Sequence, residues 1–528
     1  MRRINRIFLL AMPLLFAACG DDASSLRQRG LPFPTPGQRE LVVLTAPGEL
    51  TYKAEDKGQV SGLEHDLVEA FAEELGVGVK YVVVPPEEID THLNNGKAHL
   101  AAAWLAPPDH SLIKTTPPIR HTYDTLIQHE ASLPVLDKGE LAGKSIHLIT
   151  GSRQAVSLKN LQKSIPGLTL VEENRQDPFT LLEALSARKI NYVAMDSALF
   201  DIASQFFPSL QATLSLNQEQ PIVWLLGEKP NTELEARAKA FIERVQYDGT
   251  LARIDDRYFG HVQRLKQVDV VKFLGEIEST LPKFRKFFQA AEVVSGIDWR
   301  LIAAVAYHES HWNPNATSYT NVRGIMMLTE ETADRLEVGN RLDPSESILA
   351  GARYINMLKE TFPPDVPEPD RTWLALAAYN IGPGNFNNAT RLARKLKADP
   401  ASWYEMKLVL PKLAQASFAS QIGAGRARGG EAVILVENIR SYYDILQRNT
   451  PALSPGLAKA ESLKRLVDEV TRRRKEYVRK SSAAKSLAAI QEVDDMALSI
   501  AENDAPPMPP RLPNFEPASA HARPTTTE

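Results

Sequence analysis

The chain is poor in several residues whose absence excludes common classes of protein. It holds one cysteine, Cys19, so no disulfide can form within it. It has no excess of either charge: 61 Lys+Arg against 65 Asp+Glu leave a formal net charge of −4, with no global pull toward nucleic acid. Its apolar N-terminal run, IFLLAMPLLFAA, is too short for a comfortable membrane span. No histidine occurs between His311 and His521, which starves any local metal site of ligands. What is abundant is core-forming material. Hydrophobic residues make up 43% of 528 positions, enough for two or three domains.

The N-terminus reads as a processing segment, with positive charges in MRRINR and then the apolar run. FAACG resembles a bacterial lipobox, in which cleavage precedes the cysteine and lipid is attached to it. The alternative is an ordinary signal peptide with a chance cysteine. Gly20 stands where an aspartate would favour inner-membrane retention, although Asp21 and Asp22 follow, so the resemblance implies an outer-membrane lipoprotein facing the periplasm. Residues 1–18 are then the signal peptide and 19–39 a polar, proline-rich tether.

From Glu40 to about Gly260, strand and helix patterns alternate. ELVVLTA, VKYVVVP, SIHLIT and PIVWLLG are short β-rich runs. Leu63, Leu67, Phe71 and Leu75 recur four apart, an amphipathic helix closed by Gly76. The alternation predicts an α/β domain with a largely parallel sheet. LTYKAEDKGQVSGLEHDLVEAFAEELGV, LNNGKAHLAAAWL, ITGSRQAV, ALSARKINYVAMDSALF and YDGTLARIDDRYFG resemble the family 3 periplasmic solute-binding proteins. The resemblance implies two lobes around a cleft over 40–262, with Tyr52, Trp104, Ser152 and Asp196 as ligand candidates. His110 stands where that family usually places a carboxylate-clamping Arg, whereas Asp196 keeps its ammonium partner. A helix N-cap is the equal alternative for Asp196. Such a cleft suits a muropeptide stem better than a free amino acid.

From 263 to 450 the pattern is helical. KFRKFFQAAEVVSG ends at Gly296, Asp298 opens the next helix, Ser345 offers half a capping box, and DRTWLALAAYNIG closes on Gly382. In the tail, 451–528, Leu463, Leu466, Val467 and Val470 share a helical stripe. The cluster Arg472, Arg473, Arg474, Lys475, Arg479 and Lys480 reads as a solvated helix face, with anionic lipid or cell wall as the alternative. The end, DAPPMPPRLPNFEPASAHARPTTTE, has a disordered composition.

The stretch AVAYHESHWNPNA carries the chemistry. Zinc proteases need His at i and i+4 on one helix face; here the spacing is i and i+3. Ile302, Val305 and Ala306 lie seven, four and three residues before Glu309, so Glu309 continues the apolar stripe. Burial and the negative end of the helix dipole both raise its pKa, which is what a general acid needs near neutral pH. A Glu paired with Arg or Lys is the alternative from this helix alone. His308 and His311 fall toward solvent or the groove rim.

Glu309-Ser310, then Gly324-Ile325-Met326-Met327, Ala378-Tyr379-Asn380-Ile381-Gly382 and ENIRSYY resemble, in order, the motifs of the soluble lytic transglycosylases. Met327 replaces their usual Gln, although a branch of the family reads Met-Met-Leu there; GIMML as core packing is the alternative. The resemblance implies an all-α lysozyme-like domain after the α/β two-lobed periplasmic-binding-protein domain, and then the helical and disordered tail. It implies Glu309 as acid and then base, Ser318 at the substrate N-acetyl group, Met326 lining the groove, Tyr379 and Asn380 at its floor, and Tyr442 hydrogen-bonding near Glu309. It also implies peptidoglycan glycan strands as substrate, no metal or organic cofactor, and a membrane link through lipid. The chemistry is cleavage of the MurNAc–GlcNAc β-1,4 bond to a 1,6-anhydro end, in wall remodelling and turnover. Standard glycosidases use two carboxylates; Glu330, Glu331 and Asp334 read as exposed first-turn residues, so no second acid stands out. A hydrolytic muramidase, or a wall-fragment binding protein with an inactive helical domain, are the competing readings.

Overall fold

The computed structural model describes residues 31–55, 58–108, 112–174, 177–318, 321–454 and 456–481. The signal segment, Cys19, His110 and the chain beyond 481 lie outside these residues. No described helix is long and apolar enough to cross a membrane.

The N-terminal part is built on two sheets. The first runs in the order Val79–Val83, Leu41–Thr45, Leu100–Leu105, Gln220–Gly227, Lys114–Thr115, with Arg120–Thr122 also on the long fourth strand. The second runs Thr169–Glu173, Ser145–Ile149, Val193–Asp196, Asp124–His129, Leu210–Ser215. All four β-rich runs read from the sequence are strands. The expected largely parallel sheet is not found: both sheets are mixed. Leu41–Thr45 pairs in parallel with both neighbours, while Gln220–Gly227 pairs antiparallel with all of its own. The reason is topological. The chain leaves the first sheet near Tyr123 and returns near Gln220, so the returning strand enters from the other end. The helix Leu63–Leu75 buries Leu63, Leu67 and Phe71 against the first sheet and stops at Gly76 in the left-handed region.

Beyond Thr250–Phe259 the described chain has no strand; only isolated bridges hold the 317–328 loop together. Leu281–Ser295 ends at left-handed Gly296, and the Asp298 carboxylate caps Trp299–Ser310 by accepting from the Arg300 amide at 2.8 Å. The Ser345 expectation is corrected. Asp343 is the cap, accepting from Ser345 and Glu346, with Pro344 at the first helical position, where its missing N–H costs nothing. Trp299–Ser310 is buried on nearly every side, against Gly429–Asn449 and Leu281–Ser295. The tail helix Leu457–Ser481 packs on Leu281–Ser295 through Leu463 and Val470. Its basic residues are not simply solvated: Arg473 pairs with Asp343 at 3.4 Å and Arg474 hydrogen-bonds Glu337 at 2.7 Å.

The two parts meet through charge. Asp256, near the end of the first part, contacts Lys407, and Arg440 donates to the backbone carbonyls of Asp256 and Arg257 at 2.8 and 3.0 Å. Arg440 also clasps Glu437 at 2.9 and 3.1 Å, and Trp403 Nε1 donates to Glu437 at 2.7 Å. Arg448 pairs with Glu183 at 2.8 Å and stacks over Phe179 at 4.4 Å.

Candidate active site

Glu309 sits one residue before the end of its helix, where His311 turns left-handed. Its side chain is 9 % exposed, and burial pushes its pKa from 4.5 up to about 8, with no neighbouring charge contributing. It is a protonated carboxyl at neutral pH. A second buried carboxyl, Glu64, is also pushed up to about 8, so a raised pKa alone does not identify the site. Exposure separates the two. Glu64 is 0 % exposed and accepts from the Trp104 amide, whereas Glu309 keeps an open edge. Only Glu309 can hand its proton to something outside the fold.

The neighbours of Glu309 are fixed by hydrogen bonds to backbone. Ser310 Oγ donates to Ala306 O at 3.0 Å and Ile325 O at 2.8 Å, tying the helix end to the GIMML loop. Tyr379 Oη donates to Met326 O at 2.7 Å. Burial and, secondarily, the Glu309 carboxylate hold the Tyr379 phenol well above its ordinary value, which puts the two side chains together. Gly324, at φ +85°, lies where an added Cβ would stand 1.8 Å from Arg341 O; only glycine lets the loop pass. Asn380, next to Tyr379, is half-buried. Ser318 is buried in the same loop, and its Oγ accepts from Val322 N at 3.2 Å.

Two expected roles are corrected. Met326 does not line a groove: its side chain is 0 % exposed and packs onto Gly351, where a Cβ would lie 2.6 Å from Met326 Cε. It acts through its backbone carbonyl. Among the described residues no hydrogen bond joins Tyr442 to Glu309. Its ring is held instead by Phe273 and Tyr307, with centroids 4.6 and 4.9 Å away. His308 and His311 are half-buried rather than solvent-facing. Burial, then the His311 charge, push His308 down to about 4, so it is neutral near pH 7.

In the two-lobed part, Asp196 caps Ser197–Ser204 through its Oδ1. Its Oδ2 accepts from Arg153 Nη2 at 2.5 Å, and the same nitrogen lies 2.7 Å from Asp124. The ammonium partner read from the sequence is thus already held by a guanidinium. Ser152 caps the helix that carries Arg153. Tyr52 packs on Tyr81 at 5.1 Å, and Trp104, at φ +56°, leaves a buried Nε1 without a partner. Among the described residues no hydrogen bond joins Tyr52 or Trp104 to Ser152 or Asp196. Sequence reasoning missed Arg153, Glu64 and the Asp256–Lys407–Glu437–Arg440 network. Long-range pairing leaves no local pattern, although Arg153 directly after a capping Ser was a usable sign.

Comparison with known proteins fits this geometry. Residues 41–261 match the bacterial extracellular solute-binding proteins, family 3, and residues 286–401 match the transglycosylase SLT domain. The second match holds Glu309, Ser318, Met326, Tyr379 and Asn380; Tyr442 lies beyond it. An amino acid transporter substrate-binding protein from Streptococcus pneumoniae, solved with L-arginine, covers 42% of this chain and 94% of its own, at 22% identity and TM-score 0.38. A membrane-bound lytic murein transglycosylase F from Methylobacillus flagellatus is 40% identical over 86% of this chain and 96% of its own length. Its counterpart from Nitrosospira multiformis is 40% identical over 86% and 95%. At that identity and coverage, the chain belongs to the membrane-bound lytic murein transglycosylase F family.

Proposed function

We propose that this protein is a peptidoglycan lytic transglycosylase that cuts the MurNAc–GlcNAc β-1,4 bond and leaves a 1,6-anhydro-MurNAc end. The observation that carries the reading is the isolation of Glu309. Its pKa is raised by burial alone, with no second carboxylate close enough to contribute. Two-carboxylate glycosidases hold their acids about 5–9.5 Å apart. A lone protonated acid instead leaves the substrate to supply the nucleophile. Glu309 gives its proton to the bridging oxygen, and the C1–O4 bond breaks. The N-acetyl carbonyl oxygen of the sugar bonds to C1 and spreads the positive charge. Glu309, now a carboxylate, takes the proton from the C6 hydroxyl, whose oxygen bonds to C1 and releases the N-acetyl oxygen. No water enters, and Glu309 ends protonated as it began. Ser318 and Asn380 serve the sugar, and Ser310 and Tyr379 hold the loop that faces it.

Residues 40–262 form a non-catalytic receptor domain, 263–450 the catalytic domain, and the enzyme works at a membrane in the periplasm. Cys19 anchors it by lipid to the outer membrane; Cys19→Ala should move it from the membrane to the soluble fraction. The receptor cleft takes a wall fragment such as a muropeptide. Support comes from the Arg153 guanidinium on Asp196, which an ammonium would have to displace. Calorimetry separates the choices: tight binding of free amino acids alone refutes the muropeptide reading. For the reaction itself, digestion of purified peptidoglycan with mass analysis decides, because an anhydro end is one water lighter than a hydrolysed one.

A further inference from the structure

A cavity of about 290 Å³ lies where the receptor domain, the inter-domain linker and the Gly429–Asn449 helix meet. None of the residues assigned above to the groove or the receptor cleft lines it. Gln205 contributes the most buried amide. It is 7 % exposed, its Nε2 donates to Asp444 at 3.3 Å, and its Oε1 is buried with no hydrogen-bond partner. A buried acceptor left unpaired is costly, so a donor from a ligand would be favoured there. Glu130 enters from the second lobe, Gln263 and Gln267 from the linker, and Ser441 from the catalytic helix. Gln267 Nε2 donates to Glu130 and to Pro208 O, both at 2.5 Å, which fixes that rim.

The chemistry of the wall selects the ligand. No lysine or arginine lines the cavity, so nothing there recognises a carboxylate or phosphate. The polar lining consists of amides, hydroxyls and the one carboxylate of Glu130, all suited to hydroxyl groups. Leu210, Leu265 and Val270 supply an aliphatic face. Hydroxyls around an edge and C–H groups on the faces are what a pyranose ring presents. The volume equals that of roughly ten waters and sits near the ~300 Å³ lower limit of ligand sites. That admits one ring and excludes a disaccharide.

We propose that this junction cavity binds a single neutral hexopyranose unit, with Gln205 Oε1 accepting from a ring hydroxyl. The idea rests on the proposed function only in that an enzyme cutting wall glycan works among such rings. A ring seated there touches the receptor domain and the helix carrying Tyr442 at once, so occupancy favours the domain arrangement that closes the cavity.

The test uses the full chain and N-acetylglucosamine as the probe, titrated by calorimetry and by ligand-observed NMR. Wild type should show a saturable site. Gln205→Leu should weaken it roughly tenfold, and Leu265→Trp, which fills the cavity, should abolish it. Thermal melts establish that each variant is folded. The second variant keeps the test decisive if the first unfolds. Absence of saturable binding in wild type, or equal binding in wild type and the folded variants, overturns the proposal. Wall digestion run in parallel separates the two ideas: failure to form anhydro ends refutes the catalytic reading alone, and failure of sugar binding refutes this site alone.

Discussion

Replacing each of the two buried carboxyls in turn distinguishes a catalytic acid from a merely buried one. Glu309 and Glu64 are both pushed from 4.5 up to about 8 by burial. Between those pH values the folded chain keeps a proton that the unfolded chain has lost, so each residue lowers stability as pH rises through the window. At ~1.4 kcal/mol per pH unit, the gap is worth up to about 5 kcal/mol per residue; relaxation and water entry bring this to a few kcal/mol. Glu309→Gln and Glu64→Gln cannot ionise. Each should therefore match wild type near pH 4 and exceed it by about 2–4 kcal/mol at pH 8.5, in urea melts at both pH values. Their chemistry should part. Glu309→Gln should lose about 10²–10⁴-fold in wall-cleavage rate, whereas Glu64→Gln should keep most of it. Wild-type cleavage should also fall about tenfold per pH unit above 8, as Glu309 ionises. Equal stability curves for wild type and Glu309→Gln would refute the desolvation argument. Equal cleavage by Glu309→Gln would refute the assignment of the acid.

Three further substitutions probe what holds the site. Tyr379→Phe leaves Met326 O without its 2.7 Å donor and should cost about 1–3 kcal/mol in melts, with kcat falling more than KM rises. Gly324→Ala drives a Cβ into Arg341 O from a left-handed backbone; a loss above about 2 kcal/mol is expected in denaturant titration, and a neutral result would contradict the loop geometry. Arg440→Met removes a cation from the buried network with Glu437 and Asp256. It should cost about 3–5 kcal/mol, and a change under 1 kcal/mol in chemical denaturation would show the pair to be dispensable.

Local signals in the sequence were read correctly where the physics is local. Gly76, Asp298 and Gly296 end or open helices because a left-handed turn or a capping carboxylate needs only its neighbours. Glu309 on the apolar stripe of its own helix was legible for the same reason. Ser345 was misplaced by two residues because Asp343 and Pro344 together outcompete it. Features set by distant partners did not show. Met326 looked like a groove residue until Gly351 gave its side chain a place inside. Tyr442 is drawn away by Phe273 and Tyr307, rings 169 and 135 positions earlier in the chain. Arg153 meets Asp196 and Asp124 only after two strands of the second lobe come together. Sheet direction was misjudged because alternating strands and helices do not record that the chain crosses between lobes and back.

The central claim is that Glu309 works alone and the substrate closes on itself. Digestion of purified peptidoglycan by the full-length protein, with mass analysis of the released muropeptides, tests it most directly. The account predicts products ending in 1,6-anhydro-MurNAc, each lighter by one water than its hydrolysed counterpart, and none from Glu309→Gln. Products with only reducing MurNAc ends would contradict it.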